Sequence, residues 1–418
     1  MVRGLELKGW RLVALLCVTQ VLGMLSNATF PALIPVFQPL WSLSNTEAGW
    51  VSGIYYAGYT AAVPVLVTLT DRQDARSIYL LSCLLGGLAA LGFAVFADGF
   101  WSAMVFRFCG GIGLAGTYMV GLKLLSDRLP EQGRARSVAI YTAHFGIGAS
   151  FSVLAAGEVA ALAGWSWAFV VGAAGSFASL LLIAAFVRPL ARRTAEPLPA
   201  VAVFDFRPVF RNRPALAYTL GYAAHIWELF GFRAWLVAFL VFAFTWQPAL
   251  ADSSWTPTQV ATVLLLLGLP ASILGNEVAT TFGRRRVVSL IMIGSGGIAL
   301  FLGFIAAVPL WLLAAVLLVY SVLIMADSGA LTAGAVIAAK PERRGATMAL
   351  HALLGFGAGF LSPLAFGVVL DLGGGAGAGL AWGFAFALLG LGVLAGPVIL
   401  YILGRQSPDG GQERPVVG

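Results

Sequence analysis

Two carboxylates lie deep inside apolar segments of this chain of 418 residues, where charged side chains are costly. Glu228 falls near the middle of the apolar stretch 215–245, and Asp327 falls within the stretch 310–338. An ionised side chain at the bilayer centre costs about 2.5–3.5 kcal/mol on insertion scales, so its presence predicts a function. His225 lies three residues before Glu228, on the same helix face. Because low-dielectric surroundings favour a neutral carboxyl group and imidazole titrates near neutrality, we predict that Glu228, Asp327 and His225 carry protons.

Two arginines also interrupt apolar stretches. Arg107 lies about seven residues inside the stretch 100–126, and Arg233 lies inside the same stretch as Glu228. A guanidinium group makes bidentate contacts with carboxylate or phosphate, so both arginines are candidates for binding an anionic substrate. Two alternatives stay open. Arg107 could balance the charge of Glu158, which lies at a similar depth, and Arg233 is close enough to the outer end of its stretch to snorkel.

Further candidates for substrate binding are aromatic or polar side chains within the apolar stretches. They are Trp227, His144, His351, Asn27 and Tyr55, of which Asn27 and Tyr55 could equally serve helix packing. The three histidines of the chain raise transition-metal transport as an alternative, since imidazole is a common metal ligand. No His-x-x-x-His or His-x-x-x-Met pair occurs on one helix face, however. We therefore predict neither a metal site nor a cofactor.

The composition requires a bilayer as the solvent for most of the chain. Sixty per cent of the residues are hydrophobic and 10% are charged, whereas soluble domains are about a quarter charged. The net charge of +7 resides in short loops, where lipid headgroups explain it better than nucleic acid does. No nucleophile stands beside a base, so an enzyme is not predicted. The three cysteines all lie in apolar runs, and their spacing predicts neither a disulfide framework nor a metal site.

Twelve apolar segments are long enough to cross a membrane, each needing about 20 residues. We number these predicted spans 1 to 12 in chain order, and their boundaries are 11–37, 47–70, 77–97, 100–126, 137–163, 165–187, 215–245, 256–282, 287–308, 310–338, 345–370 and 379–403. The first span begins after Lys8 and Arg11 as a signal peptide would. Its apolar character continues through Phe37, so we predict an uncleaved span.

The loops between the spans divide by charge. All but three of the 25 basic residues lie in the tails or in alternate loops, the exceptions being Arg107, Lys123 and Arg233. Positively charged loops mark the cytoplasmic side of a membrane protein. This pattern predicts a multi-pass protein of the plasma (inner) membrane with both termini in the cytoplasm. We call the opposite, arginine-poor side the predicted outer side.

The two halves of the chain look like repeats. Residues 188–214 form the longest interior loop and separate a predicted N-terminal bundle, 1–187, from a predicted C-terminal bundle, 215–418. Pro-Glu-Gln-Gly-Arg-Ala follows span 4 at 130–135, and Pro-Glu-Arg-Arg-Gly-Ala follows span 10 at 341–346. The sequence thus predicts an all-α membrane protein of twelve transmembrane helices in two pseudo-symmetric six-helix bundles, with a site at their interface.

Three motifs give the chain a resemblance to the major facilitator superfamily (MFS) over nearly its whole length. The family motif G-x-L-x-D-R-x-G-R-R corresponds to 67–76, which keeps Leu69, Asp71, Arg72 and Arg76, and to 276–285, which keeps Gly283, Arg284 and Arg285. The motif R-x-x-x-G-x-G of span 4 matches at Arg107, Gly111 and Gly113. Span 5 lacks the proline typical of the family's drug/proton antiporters.

This resemblance implies the MFS fold and transport by alternating access. It implies a cytoplasmic gate made of charged residues in the two motif copies, namely Asp71, Arg72, Arg76, Arg284 and Arg285. We therefore expect a proton-coupled secondary transporter of a small organic solute, anionic or amphiphilic, that works as a monomer in contact with membrane lipid. A transition-metal transporter and a non-transporting membrane sensor are the alternatives, and residues 404–418 are short for an output domain.

Overall fold

The computed structural model describes residues 8–70, 72–190, 206–246 and 255–404. These residues form helices joined by short turns, and no strand occurs among them. Eleven of the helical segments are long and apolar enough to cross a membrane. The apolar helix Trp10–Gly23 is shorter and belongs to span 1. The predicted all-α fold of twelve spans is therefore confirmed.

Spans 2 to 9 each contain one continuous α-helix. Their bounds are Asn45–Leu69, Ala75–Phe96, Phe100–Arg128, Arg134–Ala163, Trp165–Phe186, Arg213–Phe244, Pro257–Phe282 and Arg284–Leu302. Spans 11 and 12 are the helices Arg344–Leu372 and Gly379–Gly404. The predicted linker 188–214 lies partly outside the described residues, and its described part contains the short helix Arg207–Phe210. Each span is close to its predicted length because the apolar run alone determines where a helix can leave the hydrocarbon.

Span 1 is broken, which the sequence prediction of one helix over 11–37 missed. It consists of the helices Trp10–Gly23, Thr29–Ala32 and Ile34–Trp41. Backbone groups freed inside a membrane need partners from neighbouring helices. Ser152 of span 5 supplies two of them: its hydroxyl accepts from the amide of Ala28 at 2.9 Å and donates to the carbonyl of Leu25 at 2.7 Å.

Span 10 is also broken, at a single residue. The predicted helix over 310–338 is in fact Leu310–Ala326 followed by Ser328–Ala338, with Asp327 between them. Span 8 packs tightly against this point, because a Cβ at Gly275 would overlap the carbonyl oxygen of Ala326. Only glycine allows the two backbones to approach so closely.

The chain contacts divide the protein into two compact units. Unit 1 contains spans 1 to 6, together with residues 234–241 of span 7 and the first part of span 8, up to Leu266. Unit 2 contains the remainder of spans 7 and 8 and all of spans 9 to 12. The units follow the two predicted halves except at the ends of spans 7 and 8 that lie on the predicted outer side. The two predicted bundle boundaries therefore remain a prediction.

Candidate functional site

A buried imidazole–carboxylate pair lies at the break of span 10 in unit 2. His225 of span 7 places its Nδ1 atom 2.8 Å from Oδ1 of Asp327, and the two side chains are 0% and 2% exposed. The break itself positions the carboxylate, since Asp327 ends one helix and precedes the next. Charged groups that are this deeply buried in proteins are usually paired. The structure thus brings together His225 and Asp327, two of the three residues predicted to carry protons.

Glu228, the third of these residues, lies one turn further along span 7 and is 1% exposed. Ser295 of span 9 donates a hydrogen bond of 2.9 Å to its Oε2 atom. Tyr320 of span 10 and Asp327 are its electrostatic neighbours. Three spans of unit 2, namely 7, 9 and 10, thus meet around Glu228.

His351 stacks on Tyr222 of span 7, with ring centroids 3.9 Å apart and planes 18° from parallel. Its Nε2 atom lies 3.4 Å from the hydroxyl of Thr332, and its ring interacts electrostatically with that of His225. The structure therefore brings His351, predicted as a substrate ligand, into the neighbourhood of the proton-carrying candidates.

Several buried polar atoms of this neighbourhood have no hydrogen-bond partner among the described residues. They include Nε2 of His225, Oε1 of Glu228, Nδ1 of His351 and the hydroxyl of Ser321. An unsatisfied buried polar group costs about 1–3 kcal/mol, and native structures contain few of them. A concentration of such atoms in one place indicates a site for water, protons or a polar ligand.

Arg233 contacts span 10 two residues before Asp327. Its Nη2 atom lies 3.6 Å from the sulfur of Met325. Its positive charge also acts on the hydroxyl of Tyr222, which lies about three helical turns closer to the start of span 7. The side chain therefore runs back along its helix, as long side chains on helices do. Both interpretations of Arg233, substrate binding and snorkelling, remain predictions. We call His225, Glu228, Arg233, Tyr320, Asp327 and His351 the polar cluster of unit 2.

Arg107 holds the break of span 1 together in unit 1. Its Nη1 atom donates to the carbonyls of Ser26 and Asn27 at 3.2 and 2.9 Å, and its Nε donates to the carbonyl of Val51 at 3.4 Å. The guanidinium lies 4.2 Å above the ring centroid of Tyr55 in a cation–π contact. The arginine is 3% exposed.

The pairing of Arg107 with Glu158, one of the two alternatives from the sequence, does not form. Glu158 instead accepts a hydrogen bond of 2.8 Å from Nε2 of Gln259. Among the described residues Arg107 thus has carbonyl and aromatic partners but no carboxylate. Nδ2 of neighbouring Asn27 also has no hydrogen-bond partner in the described chain. A cation and an amide donor side by side suit an anion.

Two other substrate candidates have local roles. Trp227 donates from Nε1 to the carbonyl of Leu388 at 3.4 Å and packs on Gly392 of span 12, so it serves helix packing. His144 places Nδ1 2.7 Å from the carbonyl of Ile140 in its own helix. No three His, Cys, Asp or Glu side chains of the described residues are grouped as metal ligands.

The motif after span 2 is organised around Asp74, which was not among the predicted gate residues. Asp71 lies outside the described residues, and the side chain of Arg72 is exposed. The carboxylate of Asp74 accepts from Nη2 of Arg128 at 3.1 Å, from the amide of Leu190 at 2.9 Å and from the amide of Arg76 at 3.1 Å. An Asp directly before a helix is the usual sign of an N-cap, and this signal could have identified Asp74.

The arginines of the two motif copies contact backbone carbonyls. Arg76 donates to the carbonyls of Val187 and Ala184 at 2.5 and 3.0 Å, near the end of span 6. Arg284, 7% exposed, donates to Oδ1 of Asn276 at 2.8 Å and to the carbonyl of Ala330 at 3.0 Å. Arg285 lies beside Gly404 at the end of span 12. These contacts connect helix ends within each unit, and a gating role of the five predicted residues remains a prediction.

Comparisons with known proteins agree with this architecture. The family model of the Major Facilitator Superfamily matches residues 16–352. The niacin transporter NiaP of Acinetobacter baylyi is 27% identical over 159 residues, which span 38% of this chain and 34% of that protein. The probable sulfoacetate transporter SauU of Cupriavidus necator is 22% identical over 423 residues, covering 95% of both proteins.

Among solved structures, a bacterial homologue of the human lysosomal transporter Spinster, in an inward-facing and occupied conformation, has the same fold. The TM-score is 0.70 with 16% sequence identity, and the match covers 94% of each chain. The matched relatives are membrane transporters, and the family model covers most of the sequence. The chain therefore belongs to the Major Facilitator Superfamily.

Proposed function

We propose that this protein is a secondary transporter that moves a small organic anion across the membrane by proton-coupled alternating access. The observation that carries the proposal is the polar cluster of unit 2. Two carboxylates and two histidines lie there in a buried setting, and several of their polar atoms have no partner within the described residues. Carboxylate and imidazole groups in such surroundings can bind and release protons, as proton relays in transporters do.

The contribution of His225 and Asp327 would be to hold one exchangeable proton between them. Nδ1 of His225 and Oδ1 of Asp327 are 2.8 Å apart, so a proton bound by either group lies beside the other. Loss of that proton would leave an uncompensated negative charge in a buried site, which is costly. This cost ties the proton to whatever else changes the charge of the cluster, and that is the basis of coupling.

Anion selectivity in this proposal comes from Arg107 and Arg233. Arg107 is a buried cation whose partners in the described chain carry no negative charge. Arg233 places its guanidinium 3.6 Å from the sulfur of Met325, two residues before Asp327. Niacin and sulfoacetate, the compounds in the names of two relatives, are both organic anions at neutral pH. An anionic group on the substrate would offset one of these buried positive charges.

A thermal-shift measurement on purified protein tests the substrate class. The probes are nicotinate, its uncharged amide nicotinamide, and sulfoacetate, each at one pH below and one pH above neutrality. A ligand at about 100 times its Kd stabilises the folded state by about 2.7 kcal/mol. We expect an anionic probe to raise the melting temperature and nicotinamide to leave it unchanged. Equal stabilisation by nicotinate and nicotinamide would contradict anion recognition.

Proton coupling needs a separate measurement in proteoliposomes. Uptake of the stabilising probe is recorded with an imposed pH gradient and again after the gradient is collapsed with an ionophore. We expect accumulation above equilibrium only while the gradient exists. Uptake that equilibrates at the same rate in both conditions would show a uniporter and would overturn the coupling.

A further inference from the structure

Spans 5 and 8 meet within unit 1 at the ends that lie on the predicted outer side. Glu158 is five residues from the end of span 5, and Gln259 is the third residue of span 8. Nε2 of Gln259 donates to Oε1 of Glu158 at 2.8 Å. Deeper along the same pair of helices, the hydroxyl of Thr262 lies 3.5 Å from the carbonyl of Ser150.

The two helices also touch closely beside the first of these hydrogen bonds. A Cβ at Gly157 would overlap the hydroxyl and both carbon atoms of the Thr258 side chain. Thr258 and Thr262 are both buried, whereas Glu158 and Gln259 are only partly buried. The contact therefore has a buried part made of small residues and a partly exposed part made of the hydrogen-bonded pair Glu158 and Gln259.

The beginning of span 8 fixes the donor of that pair. Thr256 and Gln259 form a reciprocal capping box: Oε1 of Gln259 accepts from the amide of Thr256 at 3.1 Å, and the hydroxyl of Thr256 accepts from the amide of Gln259 at 3.2 Å. With its oxygen held by the cap, the amide group of Gln259 can only direct its NH2 away from the cap, toward Glu158. Glu158 also lies at the positive end of the span 8 helix dipole, which favours a carboxylate.

We propose that this contact is a gate on the predicted outer side, with Glu158 and Gln259 as its latch. Span 8 belongs to the second half of the chain, yet its first ten residues pack with the first half in unit 1. A contact with one partly exposed hydrogen bond and no ion pair can be broken and remade, because both groups can be hydrated when it opens. Thr262 lies behind the latch and is 4% exposed.

The proposal rests on alternating access, which is part of the proposed function, but not on the substrate or on proton coupling. Its test therefore uses neither. Cys17, Cys83 and Cys109 are replaced by alanine, and Thr262→Cys is introduced as the reporter. The labelling rate of this thiol by a membrane-impermeant maleimide is measured in intact cells, with inverted membrane vesicles as the second preparation.

We expect slow labelling in the parent protein and labelling about tenfold faster after Glu158→Ala, since a charge-assisted hydrogen bond is lost. Gln259→Glu, which places two carboxylates together, should have at least as large an effect. The exchange Glu158→Gln with Gln259→Glu restores one carboxylate and one amide and should return the rate toward that of the parent. Glu47→Ala is the matched control, because Glu47 caps the start of span 2 without contacting span 8.

Four results would overturn the proposal. Rapid labelling of the parent in intact cells would show that Thr262 is not shielded from the outer side. Unchanged labelling rates in Glu158→Ala and Gln259→Glu would show that the Glu158–Gln259 pair does not keep the contact closed. Equal acceleration of labelling by Glu47→Ala would show that the effect is unspecific. Acceleration that appears only in inverted vesicles would keep the gate but place it on the cytoplasmic side, which would overturn its assignment to the outer side. None of these outcomes depends on which solute the protein carries or on whether protons drive it.

Discussion

Two of the buried ionisable side chains lie at breaks of spans, Arg107 against the break of span 1 and Asp327 within that of span 10, and the breaks explain their partners. Arg107 donates to carbonyls of Ser26 and Asn27 that the interruption of span 1 leaves without helical partners. Asp327 is itself the interruption of span 10 and faces His225. Irregular backbone inside a membrane is tolerated where it is buried in protein or lines a cavity, and in transporters such discontinuous helices hold binding sites.

Replacement of Glu228 by glutamine tests proton coupling at a single residue. Glutamine keeps an acceptor for the hydroxyl of Ser295 but cannot exchange a proton. We expect Glu228→Gln to abolish accumulation driven by a pH gradient in proteoliposomes while counterflow exchange continues. Glu47→Gln, at an exposed cap, serves as the control. Full gradient-driven accumulation by Glu228→Gln would remove this residue from the coupling mechanism, and Asp327→Asn is tested in the same way.

Replacement of Arg107 by lysine tests the anion site. Lysine keeps the charge but cannot form the fork of hydrogen bonds that guanidinium makes. We expect Arg107→Lys to weaken binding of the anionic probe by about tenfold or more, corresponding to the loss of about 1.5–3 kcal/mol for a charged hydrogen bond. Isothermal titration measures the affinity, with exposed Arg211→Lys as the control. Unchanged affinity would limit Arg107 to closing the break of span 1.

At the scale of the helices, the loop between spans 2 and 3 shows how one side chain orders several ends. The Asp74 carboxylate caps span 3, pairs with Arg128 at the end of span 4 and accepts from the amide of Leu190 beyond span 6. The family motif has glycine at this position, so the departure from the motif introduces a carboxylate where three helix ends converge. Arg128 also donates to the carbonyl of Arg188, which extends the same connection.

Removal of the Asp74 carboxylate should destabilise unit 1. Asp74→Ala loses an N-cap and a half-buried ion pair, with an expected cost of about 1–3 kcal/mol. A fall in the melting temperature of the purified protein measures this cost. Asp127→Ala removes a partly exposed pair with Lys123 one turn away on the same helix and should cost about 0.3–0.5 kcal/mol. Equal shifts for the two variants would show that the Asp74 network contributes no more than an ordinary surface pair.

For the molecule as a whole, the alternation of basic and neutral loops predicts the orientation in the membrane. Cysteines placed at exposed positions in two loops test it, Asp98→Cys between spans 3 and 4 and Glu131→Cys between spans 4 and 5. We expect an impermeant maleimide to label Asp98→Cys in intact cells and Glu131→Cys only after permeabilisation, since arginine-rich loops stay in the cytoplasm. The reverse pattern would invert the topology and the assignment of the outer side.

The sequence by itself determined the number of spans, their approximate bounds and the family. Hydrophobic length and loop charge are local properties, and a helix that crosses a membrane satisfies its own backbone, so neither needs knowledge of the neighbours. The sequence also singled out Glu228, Asp327, Arg107 and Arg233, because a charge inside an apolar run is visible without coordinates.

Only the tertiary structure decided which of these charges meet. The pairing of His225 with Asp327, the carbonyl partners of Arg107 and the contact of Glu158 with Gln259 each join residues from different spans. Helix rotation and the two breaks determine these contacts, and both depend on packing against neighbouring spans rather than on the run itself. For the same reason the sequence did not show that Trp227, a candidate substrate ligand, packs against span 12.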